Sequence, residues 1–124
     1  MHEISVMSSI LEQVLDELKE HDVIRVEEVE LVVGELTFLG HDQLRFAYEI
    51  MTRDTPLEGA ELVLVLEGIE VECPSCGYRG SVRYLEDEEY HFSVPVLHCP
   101  KCDSNVNVIK GRRCGVTSIK VVER

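Results

Sequence analysis

Residues 73–77 read CPSCG and residues 99–103 read CPKCD, and the rest of the chain is organised around these two stretches. Each contains a CxxC pair, and 22 residues separate the two pairs. Two intervening residues allow a tight turn that directs both sulfur atoms to one point, and two such turns supply a tetrahedron of thiolates. The spacing therefore predicts one metal site with four ligands: Cys73, Cys76, Cys99 and Cys102.

The same cysteines admit two other interpretations. A pair of disulfides is disfavoured in the reducing cytosol. Iron in a rubredoxin-like site uses the same ligands, but the chain has no Trp and few aromatic residues to surround a redox iron. Structural zinc is favoured, because four thiolates leave no position open for substrate or water. The fifth cysteine, Cys114, is expected to pack as a small apolar residue near the last strand.

Two segments before the cysteines have helical periodicity. The first predicts an amphipathic helix near the start of the chain, on the residues Met7, Ile10, Leu11, Val14, Leu15 and Leu18. The second predicts a helix that Asp42 caps, on the residues Leu44, Ala47, Tyr48 and Met51.

Strand patterns lie on both sides of the cysteine region. Residues 29–33 alternate, residues 62–71 are rich in β-formers with an interruption at Gly68, and residues 117–121 alternate again. The cysteine region therefore looks like an insertion between two strands of one sheet. We predict an α+β fold in which two helices pack on a small mixed sheet, with a zinc-ribbon-like four-cysteine module inserted before the last strand. The expected units are residues 1–72 with 115–124, and residues 73–114.

Charge is divided unequally along the chain. The 124 residues include 24 acids and 12 bases, and the net charge is −14 over residues 1–72 but +2 over residues 73–124. This asymmetry indicates two parts in different surroundings. The acidic run at 86–89 is expected to form a solvated loop. No apolar run is long enough to span a membrane and no signal-peptide pattern is present, so we expect a soluble, cytoplasmic protein.

The chain begins Met1-His2-Glu3. The bulk of His2 disfavours removal of Met1, so we expect a free terminal amine. That amine, the backbone nitrogen of His2 and its imidazole can chelate one metal ion, with a fourth donor from Glu3. Planar nitrogen donation suits Ni(II) or Cu(II). On spacing alone, a solvated histidine at a flexible terminus is the alternative interpretation.

The chain has four other histidines, at positions 21, 41, 91 and 98. His98 precedes Cys99, so a bound zinc would fix its backbone, and we hypothesise that it is a labile extra ligand for nickel held at the N-terminus. A surface histidine is the alternative for His98. His21, His41 and His91 are expected to be exposed without a functional role.

Taken together, these motifs resemble the HypA/HybF family of nickel-insertion accessory proteins for [NiFe]-hydrogenase maturation. The matching pieces are Met1-His2-Glu3 before an amphipathic helix, Val33-Gly34-Glu35-Leu36, the two CxxC pairs and the terminal Ser118-Ile119-Lys120-Val121. They span nearly the whole chain in the family's order. Two features depart from the family pattern: a longer stretch between the CxxC pairs, with residues 86–91 as the extra, and Cys114.

The resemblance implies a nickel-binding α+β domain and an inserted zinc domain. It implies that His2 is the essential nickel ligand, with Met1 and Glu3 completing the site, and that the four CxxC cysteines bind zinc. It further implies delivery of Ni(II) to the hydrogenase large subunit together with HypB, a nucleotide-hydrolysing partner. A homodimer stays open at this point.

Three other functions were weighed against nickel delivery. A zinc-ribbon nucleic-acid module is favoured by six basic residues near the cysteines, namely Arg79, Arg83, Lys101, Lys110, Arg112 and Arg113. The strongly acidic first part opposes it, because phosphate binding normally requires a basic surface. A rubredoxin-type electron carrier requires iron in place of zinc. An enzyme is least favoured, because no nucleophile–base pairing stands out.

Overall fold

The structure is a computed structural model that describes residues 2–87, 89 and 92–124. Its elements in chain order are helix α1 (Glu3–Leu18), strand β1 (Val23–Gly34), a 3-10 turn (Glu35–Thr37), helix α2 (His41–Met51), and the strands β2 (Glu61–Glu67), β3 (Glu70–Glu72), β4 (Arg79–Gly80), β5 (Tyr84–Asp87), β6 (Phe92–Pro95), β7 (Asn107–Lys110) and β8 (Cys114–Glu123). The two predicted helices and the predicted strands are all present.

The larger sheet has the strand order β2-β1-β8. Strand β1 lies in the centre, parallel to β2 and antiparallel to β8, so the sheet is mixed as predicted. Val29 faces Ile119 across one ladder, and Leu31 faces Leu64 across the other. Since β2 precedes and β8 follows the cysteine region, that region is inserted between two strands of this sheet.

The main core lies between the two helices and one face of this sheet. Helix α1 buries Met7, Ile10, Leu11 and Val14, in agreement with its periodicity. Helix α2 buries Leu44, Ala47 and Tyr48 in the same cluster. Burial of these apolar side chains at 3.6-residue spacing against the sheet supplies most of the driving force for this part of the fold.

The start of α2 differs from the prediction. Asp42 does not cap the helix; Gly40 occupies the capping position, without a side-chain hydrogen bond, and its carbonyl accepts from the Leu44 amide at 2.9 Å. Asp42 lies in the first turn instead, where its carboxylate interacts favourably with the positive end of the helix dipole.

The cysteine region and the residues just before it form a second sheet of short strands, with the order β4-β3-β7, and a separate two-stranded β5-β6 hairpin. Its buried apolar side chains are Ile69, Val71 and Val82. The acidic run begins within β5, where Glu86 is exposed, and its last residue, Glu89, lies in the turn after this strand, so only part of the run forms the expected loop. Glu88 of the acidic run and His91, two residues after the run, lie outside the described residues.

The two sheets are joined by close backbone contact directly after β1. The Gly34 amide donates to the Arg113 carbonyl at 2.7 Å, and the Leu36 amide donates to the Gly111 carbonyl at 2.8 Å. A Cβ atom on Gly34 would overlap the Gly111 carbonyl, so only glycine permits this approach. The Leu36 side chain then packs against the small core of the second sheet.

Side-chain contacts reinforce this junction. Glu67, at the end of β2, accepts from the Gly111 amide at 3.2 Å and forms an ion pair with Arg113 at 2.8 Å. The hydrogen bond from Arg113 lowers the pKa of Glu67 below its usual value, so the carboxylate is charged at neutral pH. Nearby, the Tyr84 hydroxyl donates to Glu35 at 3.0 Å.

We expect Gly34→Ala to lower the free energy of unfolding by about 1–3 kcal/mol, because the new methyl group forces the backbone apart at the junction. Urea denaturation followed by circular dichroism measures the effect. Gly115→Ala is the matched control, since a Cβ atom there meets no atom within 4 Å. Equal stability of the two variants would contradict a close-packed junction.

Candidate metal centres

The four CxxC cysteines converge on one point. Their Sγ atoms all lie within 4.8 Å of one another, and the pairs Cys73–Cys102 and Cys76–Cys99 are each 3.5 Å apart. A tetrahedron with metal–sulfur bonds of about 2.3 Å has edges of about 3.8 Å. All four cysteines are free, which rules out the disulfide interpretation in this structure. The donor set and its spacing therefore fit a closed, structural zinc site.

Two turns of the same design bring the sulfurs together. The Gly77 amide donates to the Cys73 carbonyl and the Asp103 amide donates to the Cys99 carbonyl, both at 2.9 Å. Gly77 and Asp103 have φ of 80° and 63°, the left-handed conformation that reverses the chain after each CxxC. Glycine adopts it without cost and aspartate tolerates it better than most residues, which explains both choices.

Backbone amides also point at the sulfur atoms. The amides of Lys101 and Cys102 approach Cys99 Sγ at 3.4 and 3.5 Å. At Cys102, hydrogen bonds from the side chain and backbone of Ser104 lower the thiol pKa to about 6. Such hydrogen bonds favour the thiolate, the form in which cysteine binds a metal.

Burial divides the four ligands into two kinds. Cys73 and Cys99, the first member of each pair, are buried to 1% and 0% exposure, whereas Cys76 and Cys102 are exposed. The cluster is thus anchored in the small core on one side and reaches the surface on the other.

The N-terminal candidates lie elsewhere, at the first turn of α1. His2 occupies the capping position of this helix, where its carbonyl accepts from the Val6 amide at 3.1 Å. Its side chain is exposed and makes no hydrogen bond to any described residue. Glu3 is the first helical residue and is partly exposed. Met1, the third predicted nickel ligand, lies outside the described residues.

His2 borders two surface cavities. Residues of α2 share the first, in which Asp42, Gln43 and Phe46 lie beside His2 and Glu3. The second runs along α1 towards the start of β8 and is lined by Cys114. No local sequence pattern associates Asp42, Gln43, Phe46 or Cys114 with His2, because only the packing of α2 and β8 beside α1 brings these residues together.

His98 is not part of either cavity that His2 lines. It pairs with Asn105 in an isolated β-bridge, and its Nδ1 atom is 3.2 Å from the Asp103 carbonyl oxygen. Its side chain is exposed beside the four-cysteine cluster. His98 therefore lies on the surface and does not line either cavity at His2, so its role as a nickel ligand stays a hypothesis.

The remaining cysteine and histidines have structural surroundings. Cys114 is half-buried and packs against the main core as predicted, and burial raises the pKa of its thiol. His21 approaches carboxylate oxygens of Glu17 at 3.3 Å and Glu123 at 3.7 Å. His41 begins α2 and is partly exposed.

Comparison with known proteins agrees with this architecture. A family model described as "Hydrogenase/urease nickel incorporation, metallochaperone, hypA" matches residues 1–121. Over 125 residues the chain is 38% identical to hydrogenase maturation factor HypA of Methanothermobacter thermautotrophicus, covering 100% of this chain and 99% of that protein.

Two solved structures share the fold. The solution structure of the Ni metallochaperone HypA from Helicobacter pylori matches with a TM-score of 0.67 and 23% identity, covering 100% of both chains. The solution structure of a HypA protein matches with a TM-score of 0.71 and 25% identity, covering 100% of this chain and 98% of the other.

Fold and site thus define a small α+β protein with a closed four-thiolate metal module inserted before its last strand. The family match over nearly the whole length adds the particular identity: the chain belongs to the HypA family. Within the described part of the chain, none of the helices is both long and apolar enough to cross a membrane.

Removal of the metal should unfold the second sheet while the larger sheet persists, since a structural zinc contributes about 10–16 kcal/mol of apparent binding free energy to a module of this kind. Amide hydrogen exchange after chelation measures this, with loss of protection expected in β3 and β7 and retention in β1. Cys76→Ser should lower zinc content, whereas Cys114→Ser, outside the cluster, should retain one zinc per chain. Persistent protection of β3 after metal removal would contradict a structural role.

Proposed function

We propose that this chain is a nickel metallochaperone that holds Ni(II) at its N-terminus and helps insert it into the large subunit of a [NiFe]-hydrogenase. The observation that carries the proposal is the position of His2: its imidazole is exposed, uncommitted to any described hydrogen-bond partner, and placed at the start of a rigid helix. Family membership supplies the metal and the process.

The proposed nickel donors are the amine of Met1, the backbone nitrogen and imidazole of His2, and Glu3. A terminal chelate suits delivery, because an exposed site with open faces lets ligand exchange with a recipient begin. We further propose that His98 is an additional, labile nickel ligand. This role requires a rearrangement that brings the His98 side chain towards His2. The four-cysteine cluster is proposed to hold Zn(II) as a resident structural ion.

We also propose the division into a nickel-binding unit, residues 1–72 with 115–124, and a zinc-binding unit, residues 73–114. The sheets divide slightly differently from these bounds, because β3 (Glu70–Glu72) belongs to the second sheet and Cys114 begins β8 of the larger one. HypB and the hydrogenase large subunit are the proposed partners, in the cytoplasm. The proposed role is metal delivery without a catalysed reaction. The chain could act as a monomer or as a homodimer, and sedimentation equilibrium distinguishes these two states.

The nucleic-acid alternative is weakened by the surroundings of the basic residues near the cysteines. Arg79 and Lys110 both pair with Glu70, Arg83 pairs with Asp103, and Arg113 pairs with Glu67. These neighbouring acids neutralise much of the positive charge that phosphate binding requires. An iron-containing electron carrier is distinguished by colour, since the zinc protein is colourless.

A nickel titration of untagged, zinc-loaded protein, followed by absorbance and calorimetry, tests the proposal. Loss of a residue that only supports a metal ligand costs about 10–100-fold in affinity. We therefore expect His2→Ala, which removes a ligand itself, to weaken nickel binding at least about 100-fold. A tag fused before Met1 should act similarly, because it removes the free amine.

Two further variants sharpen this titration. His21→Ala, at the other end of α1, is the matched control and should bind one equivalent of nickel like the wild type. His98→Ala should change the nickel affinity or the absorbance spectrum of the nickel complex, and an unchanged affinity and spectrum would exclude His98 as a ligand. Equal binding by the wild type and His2→Ala would exclude the N-terminal site.

A further inference from the structure

The N-terminal parts of α1 and α2 border a shallow groove that contains the proposed nickel donors His2 and Glu3 at one side and extends beyond them. It is lined by Ile4 and Ser5 of α1, by Gln43 and Phe46 of α2, and by His2. Glu3 and Asp42 complete the lining. We refer to this surface as the N-terminal groove.

The walls of the N-terminal groove are unusually apolar for a surface. Ile4 is 63% exposed and Phe46 is 62% exposed. Ile50, four residues after Phe46 on the same side of α2, is also exposed and extends the apolar stripe by one turn. None of these three side chains belongs to the buried core, so the fold does not account for them. Apolar side chains grouped on a surface and bordered by polar groups mark interaction sites.

The N-terminal groove is also acidic. No ion pair to Glu3 or Asp42 is formed by the residues that the structure describes. The basic side chains of residues 1–72 are occupied elsewhere: Lys19 with Asp16, Arg25 with Glu27, Arg53 with Glu49, and Arg45 with the Leu62 carbonyl. Among the described residues, no basic side chain therefore neutralises the two groove carboxylates, and residues 1–72 carry a net charge of −14.

We propose that the N-terminal groove is the docking surface for a segment of a partner protein that carries apolar side chains flanked by Lys or Arg. Apolar anchors fill the space between Ile4 and Phe46, and the flanking cations neutralise Glu3 and Asp42. The proposal deepens the proposed function, because a segment docked here lies beside His2, where a metal is handed over. A second copy of this chain is disfavoured, since a symmetric contact would place the carboxylates of both copies against each other.

A pair of synthetic peptides with the same apolar residues and opposite charges tests whether the groove prefers a basic segment. Both carry Leu at helical spacing; one has Lys at all other positions and the other has Glu. Binding to the zinc-loaded, nickel-free full chain is followed by amide chemical shifts and calorimetry. We expect the Lys peptide to shift the amides of Ile4, Gln43 and Phe46, and the Glu peptide to bind at least about tenfold more weakly.

Variants locate the binding. Phe46→Ala should lower the affinity for the Lys peptide about tenfold or more, because the substitution truncates an aromatic anchor. Leu66→Ala is the matched control, because Leu66 is similarly exposed, at 57%, but lies on β2. It should bind the peptide within about twofold of the wild type. Asp42→Asn should weaken binding at low salt, and the difference should fall as salt is raised.

Three results would overturn the proposal. The first is equal binding of the Lys and Glu peptides, and the second is unchanged binding to Phe46→Ala. The third is a wild-type dimer that Phe46→Ala converts to a monomer, which would make a second copy the occupant. The experiment contains no nickel, so its outcome does not depend on whether His2 binds the metal, and the two proposals fail separately.

Discussion

The four-cysteine cluster is the constraint on which the second sheet of this protein depends. The buried apolar side chains described there are Ile69, Val71 and Val82, whereas the main core draws on both helices and the central strand. A segment of this size rarely buries enough apolar surface to offset its loss of conformational entropy, and small modules of this kind usually need a metal or disulfides. The two distant CxxC turns converge on one point, where a single bound metal ion would supply the missing cross-link.

The order imposed at the cluster extends to the larger sheet through a short stretch of backbone. Strand β7 ends at Lys110, Gly111 contacts Gly34, and β8 begins at Cys114, which lines a cavity with His2. Both sides of the junction are held by hydrogen bonds, and the Glu67 carboxylate binds the same stretch. The two candidate metal centres are thus connected by packed, hydrogen-bonded structure rather than by a free linker.

Structural features that repeat periodically or depend on neighbouring residues can be predicted from the sequence, whereas features that depend on tertiary packing cannot. Buried residues such as Met7 and Leu44 recur at helical spacing, and a CxxC turn needs only its own four residues, so both helices and the four-cysteine cluster were predicted correctly. The predicted capping residue of α2 was wrong. Asp42 is a favourable residue type for this position, but the helix begins two residues earlier, with Gly40 at the capping position. The cavity shared by His2 and Cys114 joins residues more than a hundred positions apart, and no local pattern encodes such a contact.

The separation of the two metal centres has a chemical reason. Nickel binds N/S donor sites with an affinity comparable to that of zinc, so thiolates open to exchange would compete for a nickel cargo. Burial of Cys73 and Cys99 and the amide hydrogen bonds to Cys99 Sγ oppose such exchange from the inner side of the cluster. Only Cys76 and Cys102 of the four ligands are exposed, so attack on the cluster must begin at these two sulfurs. The proposed function needs one site that retains its ion and one that releases its ion. A closed thiolate cluster and a separate, exposed His2 at the chain's start fit these two requirements.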